Sequence, residues 1–489
     1  MAKRLMILGT MSSVGKSFIT AGLLRVFKEK GLKAVPFKAQ NMALNSFVTD
    51  EGREMGRAQA MQAEAAGVRP EVSMNPILLK PSGDMRSQVI VMGKSIGEMR
   101  ASEYFREKSR FIPIITDAFN KLDRENDVII IEGAGSPVEI NLNKDDFVNI
   151  GMAALAKAPA LLVGDIERGG VFAQLVGTLN LLKPGEKEYV KGIVINKFRG
   201  DISLLDDGLR QLENLTERPV LGVVPFRDFT LDDEDSLSGM LQNKGMLPGE
   251  SLIDIAVIRL PRISNFTDFN PFEMMEGVSL RFVSRVGEIG DPDLLILPGT
   301  KNTLGDLRWL KSTGIFEAVK EFAASGVVFG ICGGFQMLGE SIRDPEGLEG
   351  GGEEEGLSLL PVNTVFSKEK ELRQVAGEIE GVEGIFSCLN RVSYEGYEIH
   401  QGRTEGGQLL PEILSKGNIY GTYIHGLFDR KEAAGGIIGA LLQRKGIDRS
   451  IEAFDISEIK EKEYSRMAAL LRESLDMERI ESIMEEGIK

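Results

Sequence analysis

Val327-Val328-Phe329-Gly330-Ile331-Cys332-Gly333-Gly334-Phe335-Gln336-Met337-Leu338 reads as a buried strand, a tight turn and the start of a helix. The apolar run supplies the strand, the glycines let backbone segments approach closely, and the helix start turns amides toward the turn. A cysteine at such a corner occupies the position of a nucleophile on an α/β sheet. Free cysteine is also among the most buried residue types, so a structural thiol fits the same residues. Upstream, residues 253–260, 280–283 and 294–297 are further short apolar runs at α/β spacing. The last leads into Pro298-Gly299-Thr300, whose glycine can place a backbone amide opposite Cys332.

The amino-terminal half carries a second pattern of this kind. Residues 4–9 read as a buried strand and 16–30 as a helix with Ile19, Leu23, Leu24 and Phe27 on one face. Between them runs Gly9-Thr10-Met11-Ser12-Ser13-Val14-Gly15-Lys16-Ser17, which ends in the Gly-Lys-Ser of a phosphate-binding loop. Its amides can cradle nucleotide phosphates, Lys16 can reach the outer ones and the Ser17 hydroxyl can sit on Mg²⁺. Five residues rather than four separate Gly9 and Gly15, a variant spacing.

Further strands are expected over 34–39, 128–131, 160–163, 192–195 and 220–224, which predicts a doubly wound parallel sheet. The run 127–135 ends with Glu132 beside Gly133 and Gly135, at the sheet edge where such folds bind ligands. Glu132 is therefore the expected Mg²⁺ ligand, directly or through a bound water, against the alternative of a solvated loop carboxylate. Asn196, before Lys197 at a strand end, suits either an adenine contact or a plain turn. The long polar insertion 40–126 holds Arg53, Arg57 and Arg86, whose guanidinium forks suit a carboxylate-bearing ligand; a solvated helix face reads the same way.

An acidic, Gly/Pro-punctuated stretch marks the linker at 230–251. The expected order is a P-loop ATPase domain over 1–229, that linker, a second doubly wound domain over 252–445 and a charged helical tail over 446–489. The chain has 489 residues, enough for two or three domains. Its two cysteines, Cys332 and Cys388, exclude a disulfide scaffold, and no apolar run approaches the ~20 residues of a membrane span. The short apolar start leads into a glycine loop and not a cleavage site, so a cytoplasmic protein is expected. A net charge of −15 disfavours nucleic acid or an anionic membrane as partner. Nothing in the pattern speaks to oligomeric state. Of the two histidines, His400 and His425, the second is the candidate base, since a thiol near neutral pH needs an imidazole or a helix N-terminus to ionise. A hydrogen-bonded structural histidine is the plainer alternative.

Taken together these runs carry a resemblance. Gly330 to Gly339 with Tyr423-Ile424-His425-Gly426-Leu427-Phe428 resembles a class I glutamine amidotransferase domain of the cobyric type, and the loop at 9–17 with Glu132-Gly133-Ala134-Gly135 resembles the dethiobiotin synthetase group of ATPases. Both together, with 38–46, 165–172 and 262–268, resemble the cobyric acid synthases of cobalamin biosynthesis over nearly the whole chain. The resemblance implies an ATP-dependent, glutamine-hydrolysing amide synthase acting on the b, d, e and g carboxylates of a corrinoid, adenosylcobyrinic acid a,c-diamide. It implies Cys332 as glutaminase nucleophile, His425 as its base, amides including those of Gly299 and Gly333 for the oxyanion, and an acyl phosphate made in the first domain.

One position departs from the wider amidotransferase pattern. Two residues after the histidine, where most such enzymes place a glutamate, stands Leu427, which leaves Glu398 or His400 to orient the ring. Two rival readings share parts of the pattern: the sister synthase that makes the a,c-diamide, and a partition-type P-loop ATPase switch, which usually has a lysine early in the loop where this chain has Thr10 and Met11.

Overall fold

Strand β1 (Lys3–Gly9) is buried along its last five residues, the mark of a strand at the centre of a sheet covered on both faces. A computed structural model describes residues 1–83, 85–141, 145–229, 251–406 and 410–488. Around β1 stand β2 (Ala34–Phe37), β3 (Val128–Glu132), β4 (Ala160–Asp165), β5 (Val190–Phe198) and β6 (Val220–Pro225), in the order β6-β5-β4-β1-β3-β2. Every neighbouring pair is parallel, so all carboxyl ends lie on one edge. That register brings Glu132 opposite Ile7 and Asn196 opposite Asp165. Helix α1 (Lys16–Glu29) follows the Gly9–Ser17 loop and buries Ile19, Leu23, Leu24 and Phe27 as the periodicity predicts.

Of the described residues, Met1–Met42, Met55–Leu231 and Lys460–Lys489 make one compact unit, and Ala43–Glu54 with Asp232–Ile459 make the other. The chain thus changes unit more often than one linker allows. Within the expected tail, Leu471, Leu475, Ile480, Ile483 and Met484 are core residues of the first unit, and Leu471 lies against Gly22 of α1. The expected linker, 230–251, lies outside the described residues apart from Ser251. Much of the 40–126 insertion is β-structure: Gln40–Met42, Ile77–Gly83, Arg86–Val91 and Lys94–Arg100 form a four-stranded sheet, and α2 (Arg57–Ala66) precedes them in part. No helix among the described residues is long and apolar enough to cross a membrane.

The second unit is built on β7 (Ile253–Ile258), β8 (Val278–Val283), β9 (Leu294–Leu297), β10 (Val328–Ile331), β15 (Leu414–Lys416) and β16 (Ile419–Thr422), ordered β8-β7-β9-β10-β16-β15 and parallel except for the last pair. Both units are therefore parallel-sheet α/β, as expected. A second sheet was not foreseen. It comprises β11 (Ser341–Asp344), β12 (Gly352–Glu355), β13 (Asn363–Glu378), β14 (Ser393–Glu405) and β17 (Ile424–His425). The outer half of β13 is mostly exposed and places Glu371, Arg373, Gln374 and Glu378 in solvent, so the run lacks the apolar alternation by which a strand is read. The chain leaves the parallel sheet after Thr422 and enters this one at Ile424, where His425 pairs with Tyr397.

The turn at Cys332 depends on close approach. Gly330 lies between Leu297 and Gly421 in the sheet, and a Cβ at Gly421 would collide with the Phe335 ring. At Gly334 a Cβ would overlap the Leu297 carbonyl, an atom of backbone that cannot rotate aside. Gly334→Ala should therefore destabilise the second unit by roughly 1–3 kcal/mol or more. Chemical denaturation measures this, and an unchanged midpoint would contradict the packing.

Candidate active site

Cys332 heads the short helix α3 (Gly333–Leu338) with φ 52° and ψ −109°, a conformation that residues with a Cβ seldom adopt. Bonds on both sides hold it there. Its N–H donates to the Thr422 carbonyl at 2.8 Å, and its Sγ lies 3.4 Å from the Ile399 carbonyl oxygen. The thiol is thus fixed at the carboxyl edge of the parallel sheet. Gly299 and Gly333 border the same space: a Cβ at Gly299 would sit 3.2 Å from Cε1 of His425, and one at Gly333 would press on Thr300.

His425 is wholly buried. Its Nδ1 lies 2.7 Å from Oδ2 of Asp268, and the other Asp268 oxygen accepts the N–H of Gly426 at 3.1 Å. Tyr397 stacks on the ring with centroids 5.3 Å apart. Burial disfavours the charged ring, but the charge and hydrogen bond of Asp268, followed by the Cys332 side chain, outweigh it and push the imidazole pKa up to about 10. Asp268 is therefore the orienting carboxylate, and it comes from the short turn Phe266–Phe269, not from the position that Leu427 fills.

The two residues expected to orient His425 are engaged elsewhere. Glu398 is bound by Arg373 at 2.8 Å, and His400 stands 3.7 Å from the same carboxylate with its ring stacked on Tyr423. The sequence does hold a signal for Asp268. A carboxylate between Phe266 and Phe269 must find a partner if it is buried, and the chain has only two histidines to offer.

In the first unit, Lys16 Nζ donates to the carbonyls of Met11 at 3.0 Å and Gly135 at 3.1 Å, so it joins the glycine loop to the turn after β3. Ser17 Oγ donates to Glu132 Oε1 at 3.0 Å, and Lys38 Nζ approaches the same oxygen at 2.9 Å. Gln62 Nε2 donates to the other oxygen. The sequence pattern alone gives Lys38 and Gln62 no such part. Among the described residues no cluster of three or more His, Cys, Asp or Glu is set to hold an ion. A hydroxyl and a carboxylate in contact do fit Mg²⁺, which keeps its remaining positions for phosphate and water.

Asn196 is 4% exposed and donates its Nδ2 to the Val14 carbonyl at 2.9 Å. That amide braces the phosphate loop. It also explains Gly15, at φ +99°, where a Cβ would strike Asn196. Of the three arginines considered for a carboxylate ligand, Arg53 belongs to the second unit, Arg57 is buried on α2, and Arg86 is half exposed with Glu98 3.6 Å away.

Comparison with known proteins bears on both units. A family model described as the CobQ/CobB/MinD/ParA nucleotide binding domain matches residues 5–236, and one described as the CobB/CobQ-like glutamine amidotransferase domain matches residues 254–433. The chain is 52% identical to a cobyric acid synthase of Ruminiclostridium cellulolyticum, covering 100% of this chain and 98% of the relative. It is 50% identical to that of Lachnoclostridium phytofermentans over 100% of both, and 49% identical to that of Alkaliphilus metalliredigens over 98% and 99%.

The Asp268–His425 pair has a consequence for titration. A ring raised from 6.5 to about 10 contributes stability that is whole below pH 6.5 and is lost as pH rises toward 10. In Asp268→Asn the ring should titrate below its midpoint in the native chain, and the alkaline loss of stability should shrink. With two histidines in the chain, proton NMR can follow each ring. An unmoved His425 midpoint would refute the pairing.

Proposed function

The chain belongs to the cobyric acid synthase family, and on that premise we propose that it hydrolyses glutamine at Cys332 and uses the ammonia, with ATP, to amidate corrinoid carboxylates. The substrate is adenosylcobyrinic acid a,c-diamide, and the b, d, e and g carboxylates become amides. What carries this reading is similarity over the full length of these relatives, joined to a chain in which the residues of both half-reactions are present.

In the glutaminase half, the Cys332 sulfur attacks the side-chain carbonyl of glutamine while His425 takes the thiol proton. His425 then returns a proton to the departing nitrogen, ammonia leaves, and water hydrolyses the thioester to glutamate. Asp268 accepts the Nδ1–H throughout, which holds the ring in the tautomer that leaves Nε2 to move the proton. Amides at Gly299 and Gly333 are assigned to the oxyanion; one such donor is typically worth roughly 3 kcal/mol of barrier.

In the synthetic half, amides of the Gly9–Ser17 loop bind the phosphates of ATP and Lys16 reaches the outer ones. Ser17 and Glu132 would hold Mg²⁺, which when bound neutralises phosphate charge. A substrate carboxylate takes the γ-phosphoryl group, and ammonia displaces phosphate from the acyl phosphate. Burying one carboxylate against Lys38, Ser17 and Gln62 keeps Glu132 in place. We assign the enzyme to the cytoplasm on this chemistry, since its nucleotide and glutamine substrates are found there.

The sister reaction, two amidations giving the a,c-diamide, uses the same two half-reactions, and product mass separates them. Incubation with the diamide corrinoid, ATP, Mg²⁺ and glutamine should yield a product with four carboxylates converted to amides; any other number rejects the assignment. Cys332→Ala should abolish glutamine-driven amidation and retain that driven by free ammonia, whereas Lys16→Ala should abolish both. Loss of both activities in Cys332→Ala would show that the two half-reactions are not divided in this way.

A further inference from the structure

The turn that follows Glu132 in the first unit is gripped by one side chain from further along the chain. Asn149, 4% exposed, precedes the helix Ile150–Ala156 and turns its carboxamide back onto residues 134–136. Its Oδ1 accepts the Ala134 N–H at 3.1 Å, and its Nδ2 donates to the Ala134 carbonyl at 2.7 Å and to the Ser136 carbonyl at 3.2 Å. A backbone N–H can only donate and a carbonyl can only accept, so these three partners fix which end of the amide is which. Both ends of the buried group are thereby satisfied.

The grip sets the carbonyl that lies between. Those of Ala134 and Ser136 face Asn149, whereas that of Gly135 accepts from Lys16 Nζ at 3.1 Å. The Met11 carbonyl takes the same ammonium at 3.0 Å from the phosphate loop. Lys16 is thus aimed from two sides, and Asn149 holds one of them. Gly133 belongs to the same device. A Cβ there would stand 2.4 Å from Asn149 Oδ1, with Leu8 and the Ile7 carbonyl next at 3.2 Å and 3.3 Å. Asn149 is itself seated: its N–H donates to Asp146 Oδ1 at 3.1 Å, and its carbonyl accepts the Ala153 N–H at 2.9 Å.

We propose that Asn149 is a positioning residue for ATP use: by holding the turn 134–136 it orients the Gly135 carbonyl, and through it Lys16, for the phosphates that the Gly9–Ser17 loop binds. This rests on the ATP-dependent amidation proposed above. Lys16 meets the phosphates in the ground state as well as in the transition state, so a loosened Lys16 weakens ATP binding and raises KM for ATP. A side chain that only packed would act otherwise. Its loss would lower the folded fraction, and so kcat per chain, and leave KM where it was.

Three variants of the full chain test this: Asn149→Ala, Gly133→Ala and the two combined. Ammonia-driven amidation of the diamide corrinoid is followed at varied ATP with Mg²⁺ in excess, which separates KM for ATP from kcat. Each single variant should raise KM for ATP about three- to tenfold, as for the loss of one net hydrogen bond between Lys16 and phosphate. In the combined variant the added methyl no longer meets the carboxamide, so KM should match that of Asn149→Ala and not the product of the two single effects. An unchanged KM in Asn149→Ala, or single effects that multiply, overturns the inference. Should Gly133→Ala fail to fold, calorimetric titration of Asn149→Ala with a non-hydrolysable ATP analogue decides: affinity lower by the same factor supports the inference, and native affinity overturns it. If the native chain forms no amide from ammonia, ATP and the diamide, the amidation reading falls and this one with it; if it does and the variants do not behave as stated, only this one falls.

Discussion

A buried imidazole and a buried carboxylate 2.7 Å apart are the constraint on which the second unit's chemistry rests. Either group alone in that interior would be costly, and together they are held only by good geometry. Asp268 secures the geometry by accepting both the ring Nδ1–H and the Gly426 amide, so one side chain sets the ring and the backbone just beyond it. The place that a glutamate fills in most amidotransferases is occupied here by Leu427, buried in the core. In this chain the carboxylate comes instead from the Phe266–Phe269 turn.

The first unit solves a different problem. In a chain whose net charge is −15 it gathers cations locally, as the proposed ATP phosphates would require. Lys16 and Lys38 stand at one edge of the sheet, the loop backbone supplies the amides, and Glu132 is held between Lys38, Ser17 and Gln62. Asn196 adds rigidity from the side by holding the loop's own carbonyl.

What could be read beforehand were features whose cause is local. The apolar runs became strands, the α1 stripe became its buried face, and the Cys332 turn and the Gly9–Ser17 loop occupy the sheet edges that their glycines suggest. What could not be read depends on partners far away in sequence. Strands β13 and β14 pair with each other in spite of polar outer residues, so neither announces itself alone. Asp268 acquires its part from a histidine 157 positions away. Asn196 can be placed at a strand end from sequence, but its hydrogen bond to the Val14 carbonyl, 182 positions away, cannot.

The interleaving of the two units reaches beyond chemistry. Ala43–Glu54 precedes the connector yet belongs with the residues on its far side, while Lys460–Lys489 comes last and belongs with the residues that come first. A gene cut once at the connector would therefore yield two incomplete proteins. The later piece would carry Cys332 and His425 without the Ala43–Glu54 segment, whose Phe47 packs on Tyr397, and the earlier piece would lack Leu471, which lies against α1 at Gly22. Such a chain resists modular shuffling: neither half can be lent to another protein as one continuous block.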